Sequence, residues 1–288
     1  MIGSFARHTA NLLLYGGLFI GLCAASITAL SFELTGRVDQ NLSYILLVGT
    51  ATAALYNIHR IVGLAKTEHL VLTGRFAIVR RYQRHIRIYT VFWILLSLWL
   101  VMPLLSFRFL IALLPAGLVA FAYVIPFLPG QQRLRDLGWG KIVMIGWSWS
   151  WLTAVMPLWY FTDASIQMIL IHGTERLLWI MLITIPFEIR DLSLDQSFGL
   201  ITMPEKLGRR TTFRLALFIT IVITFLSLLS SFHYFNLPYG LSMTLVTWSI
   251  LPLIRLSYRM EDDLFFAGLL DGLMIVVLML FTLIHLYI

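Results

Sequence analysis

IPFEIRDLSLDQSFGLITMPEKLGRR, residues 185–210, closes a long apolar run with a group of charges. Glu188, Arg190, Asp191 and Asp195 all fall within eight residues of one another. The segment before them carries almost no charge. Three carboxylates and an arginine at the end of such a run require an explanation, and the rest of the sequence supplies the context for it.

The composition indicates a protein that uses lipid as the solvent for much of its surface. Of the 288 residues, 59% are hydrophobic and only 12% are charged. Soluble domains carry about 25% charged residues, so roughly half of the usual water-facing charge is missing. The sequence therefore predicts an integral, multi-pass membrane protein.

Apolar runs of about 20 residues, the length that spans the hydrocarbon core as a helix, recur along the chain. The first run is too long for a signal-peptide core and is expected to stay in the protein. We predict an all-α fold, a single integral-membrane domain over residues 1–288, with nine transmembrane helices at about 9–32, 42–60, 87–106, 109–128, 141–161, 167–188, 212–232, 238–257 and 264–287.

The basic residues segregate to one side of these nine predicted spans. Of the 21 Lys and Arg residues, 18 fall on the side of the N-terminus, Arg37 and Arg108 fall on the other, and Arg176 lies within a span. This bias predicts a cytoplasmic N-terminus. It also explains the basic net charge by attraction to anionic lipid, so no nucleic-acid partner is expected. In a bacterium, the location would be the inner cell membrane.

The acidic residues of the opening stretch suggest a metal site. If the sixth helix continues through the stretch, Glu188, Asp191 and Asp195 lie at offsets of three and seven residues, on one stripe of the helix. Mg²⁺ is commonly bound by one or two carboxylates together with substrate phosphates. The alternative is that these charges mark a helix end among lipid headgroups. Spacing alone leaves both interpretations open.

A second polar group ends the second apolar run, in LYNIHRIVGLAKTEH, residues 55–69. Both runs are predicted to end on the same membrane face, so Tyr56, Asn57, His59 and Arg60 would emerge beside the acidic residues. Arg binds phosphate through two N–H groups, and a protonated His can also donate. The alternative is that Tyr and Arg extend towards the interface, as they do at many helix ends.

The stretch FEIRDLSLDQSFGLITMPEKLGRRTT resembles the second aspartate motif of the UbiA-type intramembrane prenyltransferases. The matching residues are Arg190, Asp191, Asp195, Gly199, Thr202, Pro204, Leu207 and Gly208. The likeness extends to LGWGKIVMIGWSWSWLTAVMPL, residues 137–158, and to DGLMI, residues 271–275. Nine spans, with the longest loops after helices two and six, are also the plan of this family.

The resemblance implies that Asp191 and Asp195 bind Mg²⁺ and a prenyl diphosphate, with Arg190 beside them. Members of the family transfer the prenyl chain from its diphosphate to an acceptor, often aromatic, in a cavity open to lipid. The family's first motif is NDxxDxxxD. Alignment of its Asn with Asn57 places Ile58, Ile61 and Ala65 at the aspartate positions, and Ile201 replaces a frequent lysine.

Two functions are therefore considered. The first is a prenyltransferase that moves an isoprenoid from its diphosphate to an aromatic or lipid-like acceptor. It would use one aspartate motif with Mg²⁺, while His59 and Arg60 contact phosphate directly. The second is a non-catalytic member that binds isoprenoids or lipids. A transporter is less consistent with the sequence, because paired interrupted helices are missing from it.

Three further charges fall within predicted spans. Glu175 and Arg176 lie near the outer start of the sixth helix, where a structural role is favoured over a functional one. Asp271 lies inside the ninth helix. An aspartate in hydrocarbon should bond to a neighbouring helix, be protonated or line the cavity. Of these, a structural hydrogen bond is the preferred expectation.

Overall fold

The computed structural model describes residues 11–66, 74–124, 139–192, 196, 202–234 and 236–288. These parts are helical throughout, apart from short connections. The helices, in chain order, are α1 Leu18–Glu33, α2 Leu42–Lys66, α3 Gly74–Arg81, α4 Gln83–Val101, α5 Phe107–Val124, α6 Trp139–Ser150, α7 Met156–Phe161, α8 Ile166–Arg190, α9 Met203–Tyr234, α10 Leu237–Ser257 and α11 Asp271–Tyr287. Two π-helical segments, Trp151–Val155 and Leu264–Leu270, join α6 to α7 and precede α11.

Each of the nine predicted apolar runs contains one of these helical stretches. Seven are long and apolar enough to cross a membrane, and two, α1 and the Phe107–Val119 part of α5, are shorter. The all-helical, multi-pass membrane fold is thus confirmed. Nine crossings stay a prediction, as does the cytoplasmic N-terminus, because residues 1–10 lie outside the described part of the chain.

The outer surface of the bundle is apolar. Large hydrophobic side chains such as Trp99, Phe107, Phe218 and Phe225 are each more than 60% exposed. A soluble monomer rarely exposes apolar surface on this scale, so this surface is suited to face lipid.

Helix α8 lies at the centre of the larger core. It packs against α6, α9 and α10, and 61% of its most apolar 18-residue segment is buried, the highest share of the seven long helices. Helix α1 packs between α2 and α11, and α2 also packs against α4. The α1–α2 contact is close at Gly21 and Gly49, where a Cβ on either residue would meet the other backbone at 2.8 Å. Small residues bring helices together in this way in membranes.

The first apolar run breaks at Gly16 and Gly17. Gly17 has a φ of 85°, a left-handed conformation that suits glycine, and precedes the start of α1. The break exposes the carbonyl of Gly16, which accepts hydrogen bonds from the Asn57 amide at 3.0 Å and from the Trp93 indole at 2.8 Å. These bonds join the break to α2 and α4.

Glu175 and Arg176 lie in a buried polar network around the first half of α8. Both side chains are fully buried, deeper than the interfacial position suggested by the sequence. Glu175 accepts hydrogen bonds from Tyr239 and Ser227, and His172 lies 3.3 Å from it. Arg176 donates to the carbonyl of Ile27 at 2.7 Å, and also to the hydroxyls of Thr153 and Ser31. The network joins α8 to α1, α9 and α10, in agreement with the structural role expected.

Candidate functional site

A cavity of about 480 Å³ opens between α2, α6, α8 and the last helical stretch. It is lined by both predicted polar groups, from α2 and from the end of α8, together with residues that the sequence did not connect to them. Its polar lining residues include Tyr15, Tyr56, His59, Arg60, Lys141, Glu188, Arg190, Asp191, Asp263 and Asp271. The prediction that α2 and α8 end on the same face is consistent with this arrangement.

The cavity changes from charged to apolar along its lining helices. On α6, Lys141 is followed one and two turns later by Ile145 and Trp149. On α8, Glu188 and Arg190 are preceded by Ile180 and Ile183. At 1.5 Å per residue, Trp149 lies about 12 Å from Lys141 along the helix. The site therefore suits a ligand with an ionic head and an apolar chain.

Arg190 joins the acidic groups of the cavity mouth. Its Nε lies 2.9 Å from Oδ1 of Asp191, and its Nη1 lies 3.1 Å from Oδ1 of Asp263. Its guanidinium lies between the rings of Phe187 and Phe266, at 5.1 and 4.9 Å from their centroids. Asp263 also accepts a hydrogen bond from Tyr15. This cation is held by both ion pairs and aromatic contacts.

Arg60 is the second arginine of the cavity. It is half-buried, donates to the carbonyl of Tyr15 at 3.2 Å and to Oδ1 of Asn57 at 3.4 Å, and lies 5.2 Å from the Tyr15 ring centroid. These partners are neutral, so the positive charge is not cancelled by an ion pair with any described residue. His59 lines the cavity and is exposed, and Tyr56 packs edge-to-face on Trp149 with ring centroids 6.5 Å apart.

Asn57 has a different position from its neighbours. Its side chain is fully buried and is not among the lining residues of this cavity. Its amide donates to Gly16 and its oxygen accepts from Arg60. The described contacts give Asn57 a supporting role: it fixes the helix break and orients Arg60.

Of the four described carboxylates that line the cavity, Glu188 and Asp271 differ in their partners. Glu188 is buried and forms an ion pair with Lys141, with 2.7 Å between Nζ and Oε1. Asp271 is 8% exposed, lines the cavity, and receives no hydrogen bond from any described residue. The structural hydrogen bond preferred for Asp271 from the sequence is therefore not made within the described part of the chain. Asp271 instead lines the cavity, which is the third alternative that the sequence left open.

The acidic stretch lies at the end of α8. Helix α8 ends at Arg190, and Asp191 is its C-cap with φ −86° and ψ 0°. Glu188 and Asp191 both line the cavity and have different cationic partners, Lys141 and Arg190. The stripe through Asp195 stays a prediction. Asp195 lies outside the described residues.

The residues of the cavity fit one bound Mg²⁺ better than two. No group of three metal-binding side chains occurs among the described residues. A single Mg²⁺ needs fewer, because it is satisfied by one or two carboxylates, waters and ligand phosphates, and Asp191 can supply a carboxylate. A second ion would need acids on α2, where Ile58 and Ile61 stand and where Arg60 brings a positive charge.

Sequence reasoning missed Tyr15, Lys141 and Asp263 as parts of this site. Lys141 and Asp263 stand at the starts of apolar runs, where a charge usually marks an interface. Asp263 had one available signal: it ends an acidic triplet on the predicted cytoplasmic side, where basic residues dominate. Tyr15 had none, because its approach depends on the break at Gly17.

Comparison with known proteins adds to this geometry. No protein-family model matches the sequence, and no curated protein matches it. Two solved structures are similar in fold. A digeranylgeranylglyceryl phosphate synthase, studied in membranes, matches with 16% identity, a TM-score of 0.55, and coverage of 95% of this chain and 98% of that chain. A UbiA homologue from Archaeoglobus fulgidus, bound to GPP and Mg²⁺, matches with 12% identity, a TM-score of 0.57, and coverage of 94% and 99%. The resemblance drawn from the sequence is confirmed at the level of the fold: the chain has the fold of the UbiA-type prenyltransferases.

Proposed function

We propose that the protein is an intramembrane prenyltransferase that moves an isoprenoid chain from its diphosphate to a hydrophobic acceptor, aromatic or lipid-like. The observation that carries the proposal is the cavity, which combines arginines and carboxylates at its mouth with an apolar interior. The fold neighbour bound to GPP and Mg²⁺ supports a prenyl diphosphate as the ligand class.

The proposed diphosphate site uses fixed cations from two helices. Arg60 and His59 on α2 contact the phosphates from one side, and Arg190 lies on the other. Arg60 has the larger role, since its guanidinium forms no ion pair with a described carboxylate and can therefore bind an anion without breaking one. Tyr56 and Asn57 support this side of the site, Tyr56 by lining the cavity and Asn57 by orienting Arg60.

Asp191, together with Asp195, is proposed to hold one Mg²⁺ against the diphosphate. Mg²⁺ would neutralise charge that develops on the departing diphosphate. In this chain, Arg60 and His59 occupy the side on which the UbiA-type first motif supplies carboxylates. They donate hydrogen bonds to the phosphate oxygens there, in place of a second metal-bound group.

The apolar interior is proposed to hold the prenyl chain and to exclude water. Ile145, Ile180, Ile183 and Met274 line it, and Trp149 presents a ring surface. An allylic cation left by diphosphate loss would be protected from water there. The proton released when the acceptor attacks needs a base, and the carboxyl group of Asp271 is available within the cavity.

Diphosphate release tests the activity. The purified protein is incubated with allylic diphosphates of several lengths, Mg²⁺ and a set of aromatic and lipid-like acceptors, and released diphosphate is measured. We expect release that depends on Mg²⁺ and is lost in Asp191→Ala. Exposed Asp163→Ala is the matched control and should retain release. Binding of a prenyl diphosphate without release under any acceptor would instead support the non-catalytic function.

The membrane arrangement is part of the same proposal. Nine crossings with a cytoplasmic N-terminus would open the cavity mouth to the cytoplasm, at the inner membrane if the source is bacterial. Because Cys23 is the only cysteine and is buried, single cysteines can be introduced for labelling with impermeant reagents. Labels at Arg84 and at Asp163 should report opposite sides of the membrane.

A further inference from the structure

A second polar cavity lies between α9 and α10, away from the proposed prenyl site. Its volume is about 490 Å³, and four of its seven lining residues are arginines. The lining residues are Arg209, Arg210, Phe213, Arg214, Ile254, Arg255 and Tyr258. We call this cavity the arginine pocket. None of its described lining residues is acidic, and none of its arginines forms an ion pair with a described carboxylate.

Two of the four guanidinium groups are held in place by aromatic rings. Arg209 lies 4.6 Å from the ring centroid of Tyr258, which joins α9 to α10. Arg255, on α10, lies 4.1 Å from the ring centroid of Phe213 on α9, a second contact between the two helices. An arginine stacked on a ring keeps the N–H donors at its edge available for an anion. The pocket is thus built from both helices rather than from one flexible surface run.

The backbone of α9 adds to the positive potential. Gly208 has φ 71° and ψ 163°, which breaks the helix, so regular helix begins again at Arg209. The first N–H groups of a helix are unpaired and carry partial positive charge, which favours anions. Arg209 and Arg210 therefore lie in the first turn of the resumed helix, where cations are least favoured. An anion in the pocket would relieve both the repulsion among the arginines and their repulsion from the helix end.

The position of the pocket indicates which anion fits. The start of α9 follows the end of α8 through a short connection, and α10 returns to the same side of the bundle. The pocket therefore lies on the same membrane face as the proposed diphosphate site. Phe213 and Ile254 line it, and exposed apolar residues such as Phe218 continue along α9. We propose that the arginine pocket binds a phosphate group at the membrane surface, with the headgroup of an anionic phospholipid as the expected source.

The test uses the purified full-length protein in detergent and measures its thermal unfolding midpoint. The probes are dihexanoyl phosphatidic acid, dihexanoyl phosphatidylcholine and inorganic phosphate, at matched ionic strength. We expect phosphatidic acid to raise the midpoint by about 5 °C, and phosphatidylcholine to have little effect. If inorganic phosphate acts as well as phosphatidic acid, the ligand is free phosphate; if it does not, the ligand is the lipid headgroup.

Matched variants decide whether the pocket is responsible. The double variant Arg210→Gln/Arg214→Gln, and separately Arg255→Gln on the other helix, should lose most of the midpoint shift. Arg84→Gln/Arg87→Gln removes two positive charges from exposed arginines of α4, as the double variant does from the pocket, and should retain the midpoint shift. The proposal is overturned if phosphatidic acid and phosphate both leave the wild-type midpoint unchanged, if phosphatidylcholine stabilises equally, or if the α4 variant loses as much as the pocket variants.

Discussion

The two halves of α8 hold similar charged groups in opposite states. In the half that begins at Ile166, which is the outer half in the predicted orientation, Glu175 and Arg176 are fully buried, and their polar atoms bond to neighbouring helices. The half that ends at Arg190, together with the cavity that it lines, is called the inner half. About 20 Å further along the helix, Glu188, Arg190 and Asp191 line an open cavity. Glu175 and Arg176 are enclosed by protein side chains and cannot contact a ligand. The second charged group borders a cavity that a ligand can enter.

This contrast teaches how to separate structural from functional charges in a membrane protein. A charge in a transmembrane helix is a functional candidate in either half. Charges in both halves have protein partners, and what distinguishes the halves is access to a cavity. Tyr239, Ser227 and His172 surround the Glu175 carboxylate in the protein interior, whereas Glu188 and Asp191 have cationic partners and also line the open cavity.

The largest expected effect is on the outer half. Glu175→Ala leaves Tyr239 and Ser227 without their acceptor and Arg176 without a nearby negative charge. Removal of one member of a buried charged network costs about 3–5 kcal/mol. We expect the free energy of unfolding to fall by about this amount, measured by titration with dodecyl sulfate in mixed micelles.

The exposed ion pair between Arg37 and Asp163 supplies the control for that measurement. Its Nη2–Oδ2 distance is 2.5 Å, but the Asp163 side chain is 89% exposed. Exposed pairs contribute little, so Asp163→Ala should unfold nearly as the wild type does. If Glu175→Ala were as stable as this control, the structural assignment of the outer half would be wrong.

The next effect concerns binding in the inner half. Arg60→Gln removes a cation that has neutral partners and faces the cavity. A hydrogen bond to a charged group contributes about 1.5–3 kcal/mol, which corresponds to a weakening of diphosphate binding of about ten- to a hundredfold. Equilibrium binding of geranyl diphosphate measures it, with Arg84→Gln as the charge-matched control. Unchanged affinity in Arg60→Gln would contradict the proposal that Arg60 binds the diphosphate in place of the first aspartate motif.

The smallest effect on stability is expected at Asp271. Asp271→Asn replaces a carboxyl group that receives no hydrogen bond from a described residue. The free energy of unfolding should therefore fall by less than about 1 kcal/mol. Since the carboxyl group lies within electrostatic reach of Arg60 and Arg190, its neutralisation should leave diphosphate binding equal or tighter. Turnover should fall, because the proposed proton acceptor is lost. A loss of stability as large as that of Glu175→Ala would show that Asp271 has a structural role and would contradict this prediction.

Much of the architecture follows from the sequence because lipid imposes strong rules on it. Apolar length and charge bias located all nine helical stretches, and the charged ends of the second and sixth runs indicated the residues that meet at the cavity. The end of α8 at Arg190 lies within two residues of the predicted end of the sixth span, whereas a spacing pattern alone left open whether the helix continues through the acidic stretch. The roles of Asn57 and Tyr15 were missed because they depend on the break at Gly17, and Asp263 approaches only through the packing of the last helix on α1.

The most direct test compares geranyl diphosphate with geraniol, which has the same chain without the charged head. Binding of both is measured on the purified wild-type protein, with and without Mg²⁺. The charged mouth and apolar interior predict that the diphosphate binds at least tenfold more tightly than the alcohol, with a further gain when Mg²⁺ is added. Equal affinity for the two ligands, unaffected by Mg²⁺, would contradict the assignment of this cavity to a prenyl diphosphate.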